Sequence, residues 1–380
     1  MFRKKKAMLL VIAVLLISII GIVAIGSATH IYNSGWTSNE YASQKMWLLI
    51  GIGAMFIFSF IDYEMICKFH LLIYILNLIL LIAVIIIGKN DSNSVTRWIS
   101  IGPIGIQPSE FAKIFSIISL SSIINVKYEK INRIPTLLFI LVTSLIPVIL
   151  IMKEPSLSAS IVILLITFII LFVGCIDYKY ILKTVLYCLP VMLFLFWDTL
   201  REDHLIVNKF LKDYQIDRIT SLIKADQFSQ NFYQTKQSMF AIGSGQIWGK
   251  GLYNGTINRL NYLPESHNDF IFSVISEEFG FVGCLVVLGL LFFIIMTCID
   301  TAKHSSSFLG KLLASGIAGM FAFQTAINVG VVTGILPNTG MPLPFVSYGG
   351  SSMLVNMIAI GIIINLNRIS NKSLFSPKRR

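Results

Sequence analysis

The chain alternates between long apolar segments and short polar ones. Ten apolar segments lie at 7–28, 46–61, 69–88, 109–125, 134–152, 157–175, 180–197, 269–299, 309–334 and 349–367. A length of about 20 residues crosses a bilayer, so the eighth segment is overlong. Lipid offers no partners for backbone N–H and C=O groups, so each segment must be helical. The pattern predicts an all-α integral membrane protein with ten transmembrane helices, forming one polytopic domain over residues 1–380.

The composition supports this interpretation. The 380 residues are 55% hydrophobic and 13% charged, whereas soluble domains are about 25% charged. The net charge of +11 does not indicate nucleic-acid binding, because the basic residues cluster at the ends of apolar segments. The apolar run 7–28 is too long for a cleaved signal peptide, whose apolar region has about 7–15 residues, and is predicted to be the first span.

The distribution of basic residues predicts the orientation, because short cytoplasmic loops carry an excess of Lys and Arg. With the N-terminus inside, the cytoplasmic side holds Arg3, Lys4, Lys5, Lys6, Lys68, Lys127, Lys130, Arg133, Lys179, Lys183, Lys303, Lys311, Arg368, Lys372, Lys378, Arg379 and Arg380. The short outer loops hold only Lys45, Lys89, Arg97 and Lys153. We therefore expect both termini in the cytoplasm and a large extracellular loop at 198–268, between spans seven and eight.

Two features of the large loop suggest structure. Apolar residues recur at nearly helical spacing over 205–223, with charges between them, which predicts an amphipathic helix on the outer membrane surface or one packed on the protein's own loops. The run SMFAIGSGQIWGKGLYNG (238–255) contains five glycines, which let the backbone approach another group closely. Its spacing differs from that of a Walker loop, and a phosphate cradle is the weaker alternative.

The stretch LPESHNDFIFSVISEEFGFVG (263–283) places four carboxylates at the mouth of the eighth span: Glu265, Asp269, Glu277 and Glu278. Ionisable groups within a span are costly, about 2.5–3.5 kcal/mol on insertion scales, which favours a functional use. Asp269 is either a reactive carboxylate or a helix cap. Glu277 and Glu278 lie about 12–13.5 Å deeper and are expected to be structural, pairing with polar groups of neighbouring spans.

Three further polar clusters are predicted on the outer side. RWISIGP (97–103) precedes QPSEFAK (107–113), in which Pro108 starts a helix and Glu110 and Lys113 share a helix face. The turn Lys153–Ser156 joins spans five and six. The segment LPNTGMPLPFVSYGGSS (336–352) is too rich in proline and glycine to be helical, so at membrane depth it must lie against protein or a cavity; Pro344, Gly349 and Gly350 are assigned structural roles.

Five motifs in order, RWISIGPIGIQPSEFAK, YQIDRI (Tyr214–Ile219), GSGQIWGKG, LPESHNDFIFSVISEEFGFVG and LPNTGMPLPFVSYGGSS, together resemble the SEDS family (shape, elongation, division and sporulation). The last motif is more similar to the RodA branch than to FtsW. One departure is visible: the family's Q-P-D-L-G-T after the fifth span reads Glu154-Pro155-Ser156-Leu157-Ser158-Ala159 here, so no catalytic role is expected of this turn.

The resemblance implies an activity and a location. The family polymerises lipid II, an undecaprenyl-pyrophosphate-linked disaccharide pentapeptide, in the bacterial cell membrane, with a class B penicillin-binding protein as partner and membrane lipid around the polyprenyl tails. The active site is expected on the outer face. The family's essential aspartate matches Asp269, its implicated tryptophan matches Trp98, and Glu110 and Lys113 match residues that the family places near that aspartate.

The resemblance leads to a mechanistic hypothesis in which Asp269 is the general base for an inverting glycosyl transfer. The leaving pyrophosphate would be stabilised by Arg97, Lys113, Lys250 or Arg218, and His267 and Ser347 are further candidates for contact with the substrate. No ligand cluster identifies a metal, and no cofactor is identifiable, although a divalent cation could share the charge. The alternatives are a lipid II flippase and a non-catalytic scaffold for a penicillin-binding protein.

Overall fold

The computed structural model describes residues 2–30, 39–90, 96–101, 104–154, 156–177, 230–264 and 266–375, with single positions or pairs at 179–180, 186, 190, 194, 197–198 and 216. The long helices of this part are α1 (Phe2–Ala28), α2 (Asn39–Phe60), α4 (His70–Ile87), α5 (Pro108–Val126), α6 (Ile134–Lys153), α7 (Leu157–Val173), α8 (Gln230–Ser244), α10 (Ile271–Lys303), α11 (Phe308–Val332) and α12 (Gly350–Phe375). Short helices are α3 (Tyr63–Lys68) and α9 (Thr256–Arg259), and a 3₁₀ turn covers Tyr128–Lys130.

Nine of the ten predicted apolar segments coincide with helices in the described part of the chain. Eight of these helices are long and apolar enough to cross a membrane, and α7, with 17 residues, is slightly shorter. The remaining predicted span, 180–197, lies largely outside the described residues. The predicted amphipathic helix at 205–223, together with Arg218, also lies outside them, apart from residue 216.

The described part of the chain is helical as expected, apart from a small sheet between α4 and α5. Strands β1 (Lys89–Asn90), β2 (Thr96–Ile101) and β3 (Ile104–Ile106) form an antiparallel sheet in the order β1-β2-β3. Thr, Trp and Ile favour a pleated, half-buried surface, and a loop outside the apolar segments does not impose helical hydrogen bonding. This sheet carries two predicted site residues, Arg97 and Trp98.

The core lies where α12, α11, α10 and α5 meet, with α1, α2 and α7 packed around them. Close helix contacts occur at glycines, as is usual where helices associate without a hydrophobic driving force between them. A Cβ on Gly361 of α12 would lie 2.7 Å from the backbone oxygen of Met55 in α2. A Cβ on Gly350 would lie 2.1 Å from the Trp47 ring, which gives Gly350 the structural role that the sequence predicted.

The overlong eighth segment consists of two helices separated by a break at Gly280. The backbone of Gly280 has φ 64° and ψ −161° inside the 33-residue span of α10. This conformation is essentially confined to glycine. The break leaves backbone groups of both half-helices without partners inside the helix, and the glycine-rich loop supplies them.

Candidate functional site

Asp269 lies in the turn that leads into α10, half-buried, one position before the residue that caps the helix. The helix begins at Ile271 after the cap residue Phe270, whose side chain makes no capping hydrogen bond. The cap position is therefore Phe270 and not Asp269. Its carboxylate lies near the positive end of the helix dipole, and its position is set by the backbone of the turn.

Hydrogen bonds to three consecutive backbone carbonyls hold this turn in place. The Tyr348 N–H donates to the oxygen of His267 (3.0 Å), and the Ser347 hydroxyl donates to the oxygen of Asn268 (2.7 Å). The Asn328 side-chain amide donates to the oxygen of Asp269 (2.8 Å) and to that of Met341 (2.7 Å). The turn is thus held by α11 and by the segment that precedes α12.

Residues 343–351, hereafter the 343–351 segment, connect this turn to two other helices. Gln44 of α2 donates to the Ser347 carbonyl (3.4 Å) and accepts from the Gly349 N–H (3.2 Å). The Gln107 N–H, at the start of α5, donates to the Ser351 hydroxyl (3.0 Å). The segment therefore joins the Asp269 turn to the N-terminal end of α5.

Two of the predicted site residues in this segment have structural contacts. Ser347 also accepts a hydrogen bond from the Leu343 N–H (2.8 Å), so its hydroxyl braces the segment instead of standing open to a substrate. Pro344 is buried within it, and the next residue, Phe345, has φ 65° and packs 5.3 Å from the Phe321 ring. The ring of His267 lies half-buried, 5.6 Å from that of Tyr348.

Glu110 and Lys113 form the ion pair that their spacing predicted. The Lys113 ammonium donates to the Glu110 Oε1 at 2.7 Å, and both side chains are buried, Lys113 completely. The second oxygen of Glu110 has no hydrogen-bond partner among the described residues. A buried pair costs desolvation that its attraction only partly offsets, so this arrangement is weak evidence for stability and points to a functional reason.

The sheet places Arg97 near Glu154, a carboxylate of the turn for which the sequence predicted no catalytic role. Trp98 is half-buried and packs over Gly105 of β3, where a Cβ would lie 3.3 Å from its ring. Glu154, immediately after α6, is fully buried, and neither oxygen has a hydrogen-bond partner among the described residues. Burial raises the pKa of Glu154 to about 8, while the charge of Arg97 acts in the opposite direction.

The glycine-rich loop binds the break in α10. The N–H groups of Lys250 and Gly251 donate to the carbonyls of Glu277 (3.0 Å) and Glu278 (2.9 Å). On the other side of the break, the N–H groups of Phe281 and Val282 donate to the carbonyls of Gln246 (2.9 Å) and Ile247 (3.2 Å). The close approach that the glycines predicted is confirmed, and the approached group is α10.

A salt bridge between Lys250 and Glu277 adds to these contacts between the loop and α10. The Lys250 ammonium donates to the Glu277 Oε1 (2.6 Å) and to the Thr256 hydroxyl (2.6 Å), and the same oxygen of Glu277 accepts from the Ile257 N–H (3.0 Å). Glu277 therefore pairs with the loop and not with a neighbouring span, contrary to expectation. Glu278 does bind a neighbouring span, through the Ser27 hydroxyl of α1.

Sequence reasoning missed Asn328 and Gln44, and it named Glu154 only as part of a turn with no expected catalytic role. The available signal was a polar side chain inside or directly beside an apolar segment, where such groups are costly unless they bind something.

For metals, no group of three or more His, Cys, Asp or Glu side chains with the proximity to hold an ion occurs among the described residues. Glu265 lies outside them.

A family model described as a cell cycle protein, FtsW/RodA/SpoVE, matches residues 7–372. The chain belongs to this family. It is 38% identical over 316 residues to the probable peptidoglycan glycosyltransferase FtsW of Buchnera aphidicola subsp. Schizaphis graminum, covering 81% of this chain and 85% of that protein. It is 32% identical over 377 residues to stage V sporulation protein E of Bacillus subtilis, covering 96% and 97%.

Solved structures show the same fold. One chain of a peptidoglycan synthase complex superposes with a TM-score of 0.78 at 26% identity, covering 95% of this chain and 97% of that one. The rod shape determining protein RodA of Thermus thermophilus superposes with a TM-score of 0.67 at 24% identity, covering 94% and 95%. These relatives carry the names FtsW, SpoVE and RodA, so the closer resemblance of this FtsW/RodA/SpoVE member to the RodA branch stays a prediction.

Proposed function

We propose that the protein is a peptidoglycan glycosyltransferase that polymerises lipid II into glycan strands for cell-wall synthesis. The observation that carries the proposal is likeness over nearly the whole chain to proteins named for this activity. The probable peptidoglycan glycosyltransferase FtsW of Trichlorobacter lovleyi is 31% identical over 366 residues, covering 95% of this chain and 92% of that protein. The Asp269 carboxylate, on the turn described above, is the proposed general base.

In the proposed reaction, Asp269 takes the proton from the 4-hydroxyl of the acceptor sugar. The freed oxygen attacks the anomeric carbon of the donor, the bond from that carbon to the pyrophosphate oxygen breaks, and undecaprenyl pyrophosphate leaves with the electron pair. Attack opposite the leaving group converts the α-linked donor into a β-linked product. A positioned general base contributes about 10²–10⁴ in rate.

The candidates for stabilising the charge of the leaving pyrophosphate include Arg97, Lys113 and Lys250. The ammonium groups of Lys113 and Lys250 are each neutralised by a glutamate at hydrogen-bonding distance. The guanidinium charge of Arg97 acts on the buried carboxyl of Glu154. Positive groups held at the developing charge lower the barrier. Arg218 and a divalent cation stay as further candidates.

The proposal also includes an orientation and a partner. Both termini lie in the cytoplasm and the Asp269 turn on the outer face, as the excess of basic residues at the opposite ends of the spans indicates. A class B penicillin-binding protein is the proposed partner. The family resemblance and the likeness to a chain of a peptidoglycan synthase complex support an assembly of this kind.

The direct test is polymerisation of purified lipid II by this protein together with a class B penicillin-binding protein whose own crosslinking serine is replaced. We expect a ladder of glycan strands on a gel, and no ladder from the penicillin-binding protein alone. A protein that makes no strands but moves fluorescent lipid II across vesicle membranes is a flippase, and this result would overturn the proposal.

A further inference from the structure

A cleft of about 460 Å³ lies between α7, α10 and α11, at the ends of the spans opposite the Asp269 turn. Its walls are apolar or small: Ile169, Val173, Ile295, Ile299, Ala302, Ala318, Gly319 and Ala322. Among the described residues, the polar ones that line it are Lys303, Lys311 and Ser315. Small-molecule and lipid sites have volumes of about 300–1,000 Å³ with mainly apolar linings and few polar groups, and this cleft has both properties.

The cleft runs along the helices to a depth that suits a lipid chain. On α11, the lining positions 311, 315, 318 and 322 follow helical spacing and form one face of small residues below Lys311. From Lys303 to Ile295 on α10 the distance is about 12 Å, and from Lys311 to Ala322 about 16 Å. Half of the hydrocarbon core measures about 15 Å, so the cleft extends through one leaflet.

Two lysines without ion-pair partners among the described residues stand at its mouth. Lys303 lies in the last turn of α10 and Lys311 in the first turn of α11, and both are exposed. The carboxylate at this corner, Asp300, is already bound by Lys6 (2.8 Å) and by the ring of His304 (3.2 Å). The mouth therefore carries positive charge that no described carboxylate neutralises.

We propose that this cleft binds an anionic phospholipid, with one acyl chain between α7, α10 and α11 and the headgroup phosphate between Lys303 and Lys311. Basic pockets between membrane helices on the cytoplasmic side are sites of this kind. The Ser315 hydroxyl, one turn below Lys311, is placed to donate to the phosphate or ester oxygens. A partner's apolar helix would bury the same walls but would leave both lysines uncompensated, so the charge favours a lipid.

The test measures lipid binding to the purified full-length protein by native mass spectrometry, with phosphatidylglycerol and phosphatidylcholine of identical acyl chains. The charge variant is Lys303→Gln with Lys311→Gln. The matched control is Lys68→Gln with Lys130→Gln, which removes two exposed basic charges outside the cleft. We expect the charge variant to lose roughly 30-fold in affinity for phosphatidylglycerol and the control to bind like wild type.

A second variant, Ala322→Leu, fills the inner end of the cleft without changing its charge, and we expect weaker binding of both lipids. Equal affinity of the charge variant and the control for phosphatidylglycerol would overturn the proposal. Equal affinity of wild type for the two lipids would overturn it as well and would favour an apolar partner helix. These measurements use no lipid II, so their outcome is independent of the proposed enzymatic activity.

Discussion

The carbonyls of His267, Asn268 and Asp269 all accept hydrogen bonds from groups behind the turn. Asn328 is the only one of these donors that is a side chain of a membrane span. It is buried, and its amide joins the Asp269 carbonyl to that of Met341. At the scale of single residues, the proposed base is therefore positioned by a group that never needs to touch the substrate.

This positioning leads to a prediction for Asn328→Leu. Loss of the amide leaves two carbonyls without their donor, and the turn shifts relative to the bound sugars. We expect kcat for polymerisation to fall roughly 10–100-fold, because small misplacements of catalytic groups are costly, with little change in KM. The measurement is the initial rate over a range of lipid II concentrations.

The control for Asn328→Leu is Asn365→Leu, in the C-terminal half of α12. The Asn365 amide also binds two backbone groups, the Ser59 carbonyl (3.0 Å) and the Tyr63 N–H (3.1 Å). Both variants should lose similar stability, about 1–3 kcal/mol, but only Asn328→Leu should lose turnover. Equal losses of turnover in the two variants would contradict a positioning role.

Glu154 should make stability depend on pH. Its pKa is raised by burial from an ordinary value near 4.5 to about 8, so the folded state holds the proton more tightly than the unfolded state. The resulting stabilisation is complete below pH 4.5 and is lost as the pH rises to about 8. We expect the wild-type Tm in detergent to fall by several degrees between pH 5 and pH 9.

Glu154→Gln isolates this contribution, because its side chain is neutral at every pH while all other titrating groups are unchanged. The variant should show a smaller fall in Tm over the same range and should be more stable than wild type at pH 9. Parallel Tm curves for the two proteins would show that Glu154 titrates normally.

Variants of the buried Glu110–Lys113 pair distinguish its effect on stability from its effect on activity. Lys113→Met leaves a carboxylate buried without its cation, which costs about 3–5 kcal/mol. Adding Glu110→Gln removes that charge, so the double variant should recover most of the lost Tm. We expect polymerisation to stay abolished in the double variant. Recovery of both properties together would show that the pair is only structural.

At the scale of elements, the break in α10 and the 246–251 loop form one joint. The break exposes two carbonyls and two N–H groups, and the loop binds all four. Unpaired backbone groups at membrane depth are tolerated only when protein or a cavity satisfies them. The loop therefore makes the break possible. The same arrangement brings the Glu277 carboxylate within hydrogen-bonding distance of the Lys250 ammonium.

Gly280→Ala tests this joint. A Cβ there would lie 2.4 Å from the Gly249 nitrogen, and the backbone at φ 64° and ψ −161° is nearly closed to other residues. We expect a loss of at least about 1–3 kcal/mol, seen as a lower Tm. Gly289→Ala, in the straight half of α10 with nothing within 4 Å of its Cβ, should be neutral or stabilising by up to about 1 kcal/mol. Equal effects at both glycines would argue against the joint.

The sequence predicted those elements whose signal is local. Apolar length located nine helices, and the three-residue spacing of Glu110 and Lys113 located their ion pair because both lie on one helix face. The contact of Lys250 with Glu277 joins positions 27 apart across a loop, and no periodicity encodes it. The small sheet was missed because its strands are short and interrupted by glycine and proline.

At the scale of the whole molecule, the motifs on distant segments converge on one network. The 343–351 segment binds the Asp269 turn, α2 and the start of α5, so three of the outer clusters that the sequence identified meet through it. Family resemblance predicted this grouping, whereas hydropathy alone gives no information on which helices are neighbours. The same resemblance did not predict the roles of Ser347 and Lys250, whose contacts are structural.

The most direct test of the account compares wild type with Asp269→Asn in the polymerisation of purified lipid II, after matching Tm values show that the variant is folded. Asparagine keeps the size of the side chain and removes its basicity. We expect a ladder of glycan strands from wild type and at least a 100-fold lower rate from the variant. Strand synthesis by Asp269→Asn at the wild-type rate would contradict the assignment of Asp269 as the base.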